Sequence, residues 1–443
     1  MGEYPVYDEV LYFAMTHDKK RVLRYKNAIN QSVKGKSVVE IGTGKDAVLA
    51  RLCVEAGARI VYAIEMGKEA FEQAKVLIKQ LGYEEKIILI FGDALEITLP
   101  ETVDICLSEI IGTIGGSEGA AVILNNAQRF LKKDGIMIPE RCVTHMAGVC
   151  LSDELYHNPV FGEMGNYYVD KVFEKLGYPF DIRLCIKNIS KQDIISTNAI
   201  IEDLHFNIQS PEQYSNEFRI QITKNTRLDG FLFWINLYPA SDQLINSLED
   251  ETSWLPVYFP LFYPGIEVDE GTTINGNFIV NLSKNGINPD YKINGEIKFT
   301  EGRQVEFEFN SLYDFPQTNG HPFYSKILEN KNNGLKFQND HDRIVQNVRE
   351  YLTKRIPSYM IPNNFHVLNK FPLTNNGKID KKSLLFSDEP GISEHQYVAP
   401  RNKMEEKLAA IWQELLGVKG IGVEDNFFEL GVTHYWLCVW YRL

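Results

Sequence analysis

Five short apolar runs punctuate the early part of the chain: SVVEI at 37–41, IVYAI at 60–64, IILIF at 87–91, DICLS at 104–108 and GIMIP at 135–139. Runs without polar alternation predict strands buried on both faces, as in a parallel sheet. Helical patterns lie between them. In GKEAFEQAKVLIKQLG, Ala70, Ala74, Leu77 and Leu81 share one face, and Gly82 stands where the helix would end. Strand and helix in alternation predict a doubly wound α/β unit.

After about residue 146 the texture changes. FRIQITK, GFLFWINLY, TTINGNFIVNL and NGEIKFT alternate or are rich in aromatics, with Asn, Gly and Pro turns between them. A β-barrel or sandwich is the expected architecture. From Asn319 to Asp342 the chain turns polar and reads as a linker. Near 346–388 a helix leads into strands joined by LTNNGKID, where Asn-Gly marks a tight hairpin. From 400 onward NKMEEKLAAIWQELLGV reads as an amphipathic helix with Leu408, Ile411, Trp412 and Leu415 on one side.

A chain of 443 residues should fold as about two to four domains. Its 46 Lys plus Arg stand against 59 Asp plus Glu, a net charge of -13. This balance supplies no broad basic surface for nucleic acid or anionic lipid and favours a small or tethered substrate. The six cysteines are scattered without a C-x-x-C pair, which argues against a disulfide framework and a structural zinc site, so no metal is expected and a cytoplasmic location fits. MGEYPVYDEV lacks the features of a secretory signal, and Val6 spoils a myristoylation pattern. The most apolar stretch, WLPVYFPLFYPGI at 254–266, contains three prolines and is too short to span a bilayer.

The candidate chemistry begins at VVEIGTGKDAVLA, 38–50, which reads as strand, tight turn and helix start. Gly42 and Gly44 allow backbone to approach a ligand, and N–H groups at the helix start offer donors. Read as G-x-G-x-x-A, with Ala47 last and Glu65 further on, it fits a nucleotide fingerprint for NAD; it equally fits a structural turn. A second candidate is SEIIGTIGGSE, 108–118, where Glu109 and Glu118 lie in an apolar, glycine-rich segment with no lysine or arginine beside them in sequence. The bland alternative has Glu109 ending a strand and Glu118 starting a helix.

Taken together, Glu40 before the loop, Gly42, Gly44, Glu65 after the second strand and Asp93 after the third resemble the class I methyltransferases, which bind S-adenosylmethionine. The helical lead-in YDEVLYFAMTHDKKRVLRYKNAI, 7–29, and the segment bearing Ser108, Glu109, Gly112 and Glu118 resemble the protein arginine methyltransferases. The resemblance continues through EDLHF, LDGFLFWINLY and SWLPVYFPLFYPGIEVDEGTTINGNF, which match that family's barrel. It implies that Arg21 meets the cofactor's methionine carboxylate, that Glu65 and Asp93 hold its ribose and adenine, and that Glu109 and Glu118 grip and orient the acceptor nitrogen. Without the family match, Arg21 reads as part of a solvated face with Lys19, Lys20 and Arg24. Two departures reshape the implied acceptor pocket: Thr252, Ser253 and Trp254 stand where the family has Thr-His-Trp, and Ile110 and Ile111 where it favours Trp and Met. No dimerisation arm is obvious, which leaves the oligomeric state open.

IPSYMIPNNFHVLNKFPLTNNGKIDKKSL, 356–384, resembles the end of a nonribosomal peptide synthetase adenylation domain, with Lys378 at its lysine; without a large adenylation core the piece should not adenylate. EDNFFELGVTHYWLCVWYRL resembles the start of a peptidyl carrier domain with His434 in place of the attachment serine, and reads as truncated. The expected organisation is a Rossmann-like methyltransferase domain with a helical cap at 1–145, an all-β barrel at 146–315, a linker at 316–345, an α+β adenylation tail at 346–388, a linker at 389–399 and a partial carrier at 400–443. The expected activity is methylation, at nitrogen or alternatively oxygen, of a carrier-tethered aminoacyl or peptidyl group, with an upstream synthetase polypeptide as a further partner. Rivals are a true arginine methyltransferase, an NAD-dependent dehydrogenase, in which the barrel and glutamate loop have no place, and an inactive synthetase remnant serving as a docking piece.

Overall fold

The computed structural model describes residues 18–313 and 320–333, with Tyr4, Val6 and isolated positions between 348 and 405. The chain divides into two compact units, Met1–Asn333 and Gly334–Leu443. The expected adenylation tail, with Lys378, and the carrier segment, with His434, lie outside the described residues.

In the first unit an α/β half runs through α1 (Lys19–Ser32), β1 (Ser37–Ile41), α2 (Val48–Glu55), β2 (Ile60–Glu65), α3 (Lys68–Gln80), β3 (Ile87–Phe91), β4 (Val103–Ser108), α4 (Ala120–Ala127) and β5 (Leu131–Ile138). The five apolar runs form one sheet in the order β3-β2-β1-β4-β5, with every neighbouring pair parallel. β1 is buried at every position, Ser37 and Glu40 included. On α3 the buried face is Ala70, Ala74 and Ile78, whereas Leu81, expected there, is 43% exposed beyond the helix end. A stripe repeating every four residues keeps Ile78 above Ala74 and turns Leu81 outward.

The β half follows: β6 (Arg141–Val149), α5 (Asp153–His157), α6 (Glu163–Leu176), β7 (Leu184–Cys185), β8 (Ile194–His205), β9 (Tyr214–Gln221), β10 (Thr226–Leu228), β11 (Gly230–Ala240), β12 (Gln243–Asn246), β13 (Val257–Phe259), β14 (Ile266–Val268), β15 (Thr273–Leu282), β16 (Pro289–Lys298), β17 (Gln304–Ser311) and α7 (Pro322–Asn333). One antiparallel sheet has the order β7-β13-β11-β6-β8 with β12 on β11; another has β17-β16-β15-β9. They are separate ladders joined by a bridge between Ser196 and Ile222, with β10 and β14 paired apart from both, and the expected β-rich half is built around one aromatic core. Phe231, Phe233, Phe259, Phe278 and Tyr291 fill that core. The expected linker at 316–345 needs correction. Within it α7 buries Phe323, Tyr324 and Ile327 against the β core, an apolar stripe hidden in a polar composition. No described helix is long and apolar enough to cross a membrane.

This topology fixes where a site can form. Strand order reverses between β1 and β4, and open α/β sheets bind ligands in the crevice at such a switch point, beyond the carboxyl ends of the strands. Ile41 is in register with Ser108. Gly42 and Glu109 therefore leave adjacent strands side by side.

Candidate active site

A cleft opens at this crevice, lined among others by Arg21, Tyr25, Glu40, Gly42, Gly44 and Glu109. Five of the expected site residues thus converge. Arg21 comes from α1, whose buried residues Arg21, Tyr25, Ala28 and Ile29 recur at helical spacing while Lys19 and Lys20 are exposed. Arg21 belongs to the inward stripe, and its solvated alternative is set aside. The helix starts at Asp18, whose Oδ1 accepts from the Arg21 backbone N–H at 3.0 Å.

The Arg21 guanidinium forms an ion pair with Glu109, donates to Ser253 Oγ at 3.2 Å and lies 4.6 Å from the centre of the Trp254 ring. Burial lowers its pKa to about 10, against the opposing pull of Tyr25, Asp18 and Glu118, so it stays cationic at neutral pH. In sequence Glu109 has no basic residue beside it. The fold supplies one from a distant helix, and Arg21 and Glu109, given separate duties by the sequence, hold each other. Glu118 lies near enough to favour the Arg21 charge.

Ser253 and Trp254 act on the cleft through Arg21. Asp18 Oδ2 accepts from Ser253 N at 2.6 Å and Ser253 Oγ at 3.0 Å, tying the first turn of α1 to the β half. Trp254 is 3% exposed and donates its indole N–H to the Ile111 carbonyl at 2.7 Å, so it fastens the glutamate segment from behind. Ile111 is buried in the core and Ile110 packs 3.5 Å from where a Cβ on Gly42 would stand. Of the two isoleucines, only Ile110 borders the glycine loop.

The glycine loop is tight. Gly42 and Gly44 have φ of 74° and 65°, and Ala47 joins them at 43°. Within the loop, Gly42 N and Thr43 N both donate to the Ile64 carbonyl and Gly44 N donates to Glu65 Oε2 at 2.8 Å. Close approach of the backbone, rather than these donors, is what the loop offers. Glu65 also accepts from Gly67 N at 2.6 Å, and a carboxylate with about four acceptor positions keeps room for two more bonds. Glu40 is buried, accepts from the Thr43 hydroxyl and is pushed up to about 7 by its burial. Asp93 does not line the cleft; it follows β3, and its Oδ1 accepts from Leu95 N at 2.9 Å.

Sequence reasoning missed Tyr25, Asp18 and Thr43. Tyr25 donates its hydroxyl to the Ser108 carbonyl at 3.2 Å, fixing α1 to the end of β4. Its spacing of four from Arg21 was the available signal.

Residues 32–177 match the family model described as a methyltransferase domain. This chain contains a methyltransferase domain. The methyltransferase domain and β half together resemble solved structures: Arabidopsis thaliana protein arginine methyltransferase 10, at 24% identity and a TM-score of 0.58, covering 69% of this chain and 98% of that one; and the Trypanosoma brucei PRMT1 enzyme–prozyme complex with AdoHcy, at 19% identity and a TM-score of 0.56, covering 68% and 97%. At these identities the likeness is one of fold. Among curated proteins, gramicidin S synthase 2 of Brevibacillus brevis is 51% identical over 92 residues, and tyrocidine synthase 3 of Brevibacillus parabrevis 50% identical over 95. Each match takes in 21% of this chain and 2% of the relative, so the chain spans a small fraction of those synthases.

Proposed function

We propose that this chain uses S-adenosylmethionine to methylate an amino group of a carrier-tethered aminoacyl or peptidyl intermediate in nonribosomal peptide synthesis. The observation that carries this reading is the meeting of Gly42, Arg21 and Glu109 in one cleft at the switch point. The chemistry of the cleft suits the cofactor: cationic Arg21 suits a carboxylate, and Val48 and Leu49 offer apolar contact, while Glu65, outside the lining but bonded to the glycine loop, keeps acceptor capacity for ribose hydroxyls. When bound, the cofactor supplies an electrophilic methyl group on a sulfonium.

The protein's part is positioning. Glu109 and Glu118 would hold the acceptor N–H groups and aim the nitrogen lone pair, the orientation that methyl transfer needs more than a strong base. Ser253, in the place of the family's histidine, keeps Asp18 and Arg21 in line through its hydroxyl. Oxygen is the alternative acceptor within the same pocket. The synthase relatives and the resemblance of 356–384 to an adenylation tail support a tethered acceptor over a free peptide.

The Arg21–Glu109 ion pair favours a second reading, in which Glu109 is a structural clamp for α1. Glu109→Gln separates the two. Catalytic duty predicts a fall in kcat of about 100-fold with cofactor affinity within about threefold; unchanged turnover would return Glu109 to the clamp. The broader test incubates labelled S-adenosylmethionine with a panel of aminoacyl-loaded carriers and with arginine peptides, mapping the methyl by mass spectrometry. Label on the peptides alone would make the chain an arginine methyltransferase, and label on neither would sink the proposal.

A further inference from the structure

Between Glu109 and Glu118 the chain makes a turn through Gly115 and Gly116 that is pressed onto the β half. Gly116 N donates to Glu202 Oε2 at 2.9 Å, and Gly115 N donates to Thr144 Oγ1 at 3.0 Å. Thr144 passes its own hydroxyl hydrogen to the same Glu202 oxygen at 2.9 Å. Tyr214 donates to Glu202 Oε1 at 2.9 Å. Glu202 and Thr144 are paired residues of β8 and β6, both buried, so this cradle is part of a rigid sheet. The approach is so close that a Cβ on Gly116 would lie 2.8 Å from Glu202 Oε1, and one on Gly115 would lie 2.7 Å from Cys142 Sγ and 3.0 Å from Glu202 Oε2. These contacts explain why two glycines stand there.

We infer that Glu202 is a positioning residue: a third carboxylate, supplied by the β half, that pins the middle of the glutamate segment and thereby sets where Glu109 and Glu118 stand. This rests on the proposed methyltransferase role of that pair. The cost of burying a carboxylate raises Glu202's pKa, while its bonds to Gly116, Tyr214 and Thr144 and the charge of Arg183 oppose the rise. A group kept there against that cost, with Oε2 accepting from the turn and from Thr144 while Oε1 is held by Tyr214, organises the turn. Other residues hold the segment's ends: Trp254 grips Ile111, and Asn288 donates to the Ser117 carbonyl at 3.0 Å. Glu202 meets the glycine pair between those ends, through Gly116 N and through Thr144.

The test uses the full chain as wild type, Glu202→Ala, Glu202→Gln and Thr144→Val. Amide hydrogen exchange across 108–118 reads the turn directly, and methyl transfer from labelled S-adenosylmethionine to the aminoacyl-carrier panel reads its consequence. Glu202→Ala should speed exchange at Gly115 and Gly116 at least about tenfold and lower kcat about 100-fold while the cofactor KM changes by less than about threefold. Glu202→Gln, which keeps an acceptor oxygen, should recover most of both. Should Glu202→Ala fail to fold, Thr144→Val carries the test through faster exchange at Gly115. Unchanged exchange, or a parallel loss in kcat and cofactor KM with no recovery in the Gln variant, would overturn the assignment. If wild type neither binds cofactor nor methylates any carrier, the parent reading fails, and exchange still decides whether Glu202 pins the turn.

Discussion

At the scale of single residues, the cleft is governed by buried charges that compensate one another. Glu40 gives the clearest pH signature. Burial lifts its pKa from an ordinary 4.5 to about 7, so the folded chain binds this proton more tightly than the unfolded chain does. Its contribution to stability is therefore full below pH 4.5 and is lost as pH rises to about 7. Glu40→Gln should remove up to about 3 kcal/mol of that decline, read by chemical denaturation at a series of pH values. An unaltered slope would mean that Glu40 is more solvated than its 2% exposure indicates. Trp254 makes a second test. Trp254→Phe keeps an aromatic face for Arg21 but strands the Ile111 carbonyl, which should cost about 1–3 kcal/mol, measured as a lowered Tm. The bond from Trp254 to Ile111 was not legible in sequence, since a hydrogen bond across 143 positions leaves no local pattern. Arg21 was singled out only by resemblance, and its helical spacing with Tyr25, Ala28 and Ile29 was the physical clue that it faces inward.

At the scale of elements, apolar runs announced β1 to β5; burial on both faces explains the central β1, β2 and β4, while the edge strand β3 leaves Ile88 and Phe91 exposed. The acidic segment and the glycine loop were legible as candidates, yet which groups their amides meet was not. That depends on strand order, which places Ile41 opposite Ser108 and brings Ile64 under the loop. α7 was missed because PFYSKILENKNN is polar on average and only its Phe323, Tyr324 and Ile327 stripe is buried. In the β half, Gly276 and Gly295 are cross-strand partners on β15 and β16. A Cβ on Gly295 would lie 2.2 Å from the Asn275 carbonyl oxygen, a backbone atom that cannot swing aside. Gly295→Ala should therefore destabilise the fold by more than about 2 kcal/mol and lower Tm by several degrees. A Tm equal to wild type would show that β15 and β16 separate at little cost.

At the scale of the whole molecule, α1 touches both the α/β half and the β half, and its Tyr25, Ala28 and Ile29 share one core with Ile235, Leu237 and Ile245. Its Asn27 donates to Gln243 of β12 at 3.0 Å, while Tyr25 holds the end of β4. A helix that touches both halves can couple cofactor occupancy to the placement of Glu109, and Arg21 is the residue through which that coupling would run. The measurement that bears most directly on this account is calorimetric titration of wild type and Arg21→Ala with S-adenosylhomocysteine. The account predicts saturable one-to-one binding to wild type, weakened at least about tenfold by the substitution. Failure of wild type to saturate at about millimolar ligand, or equal affinity in both proteins, would contradict it.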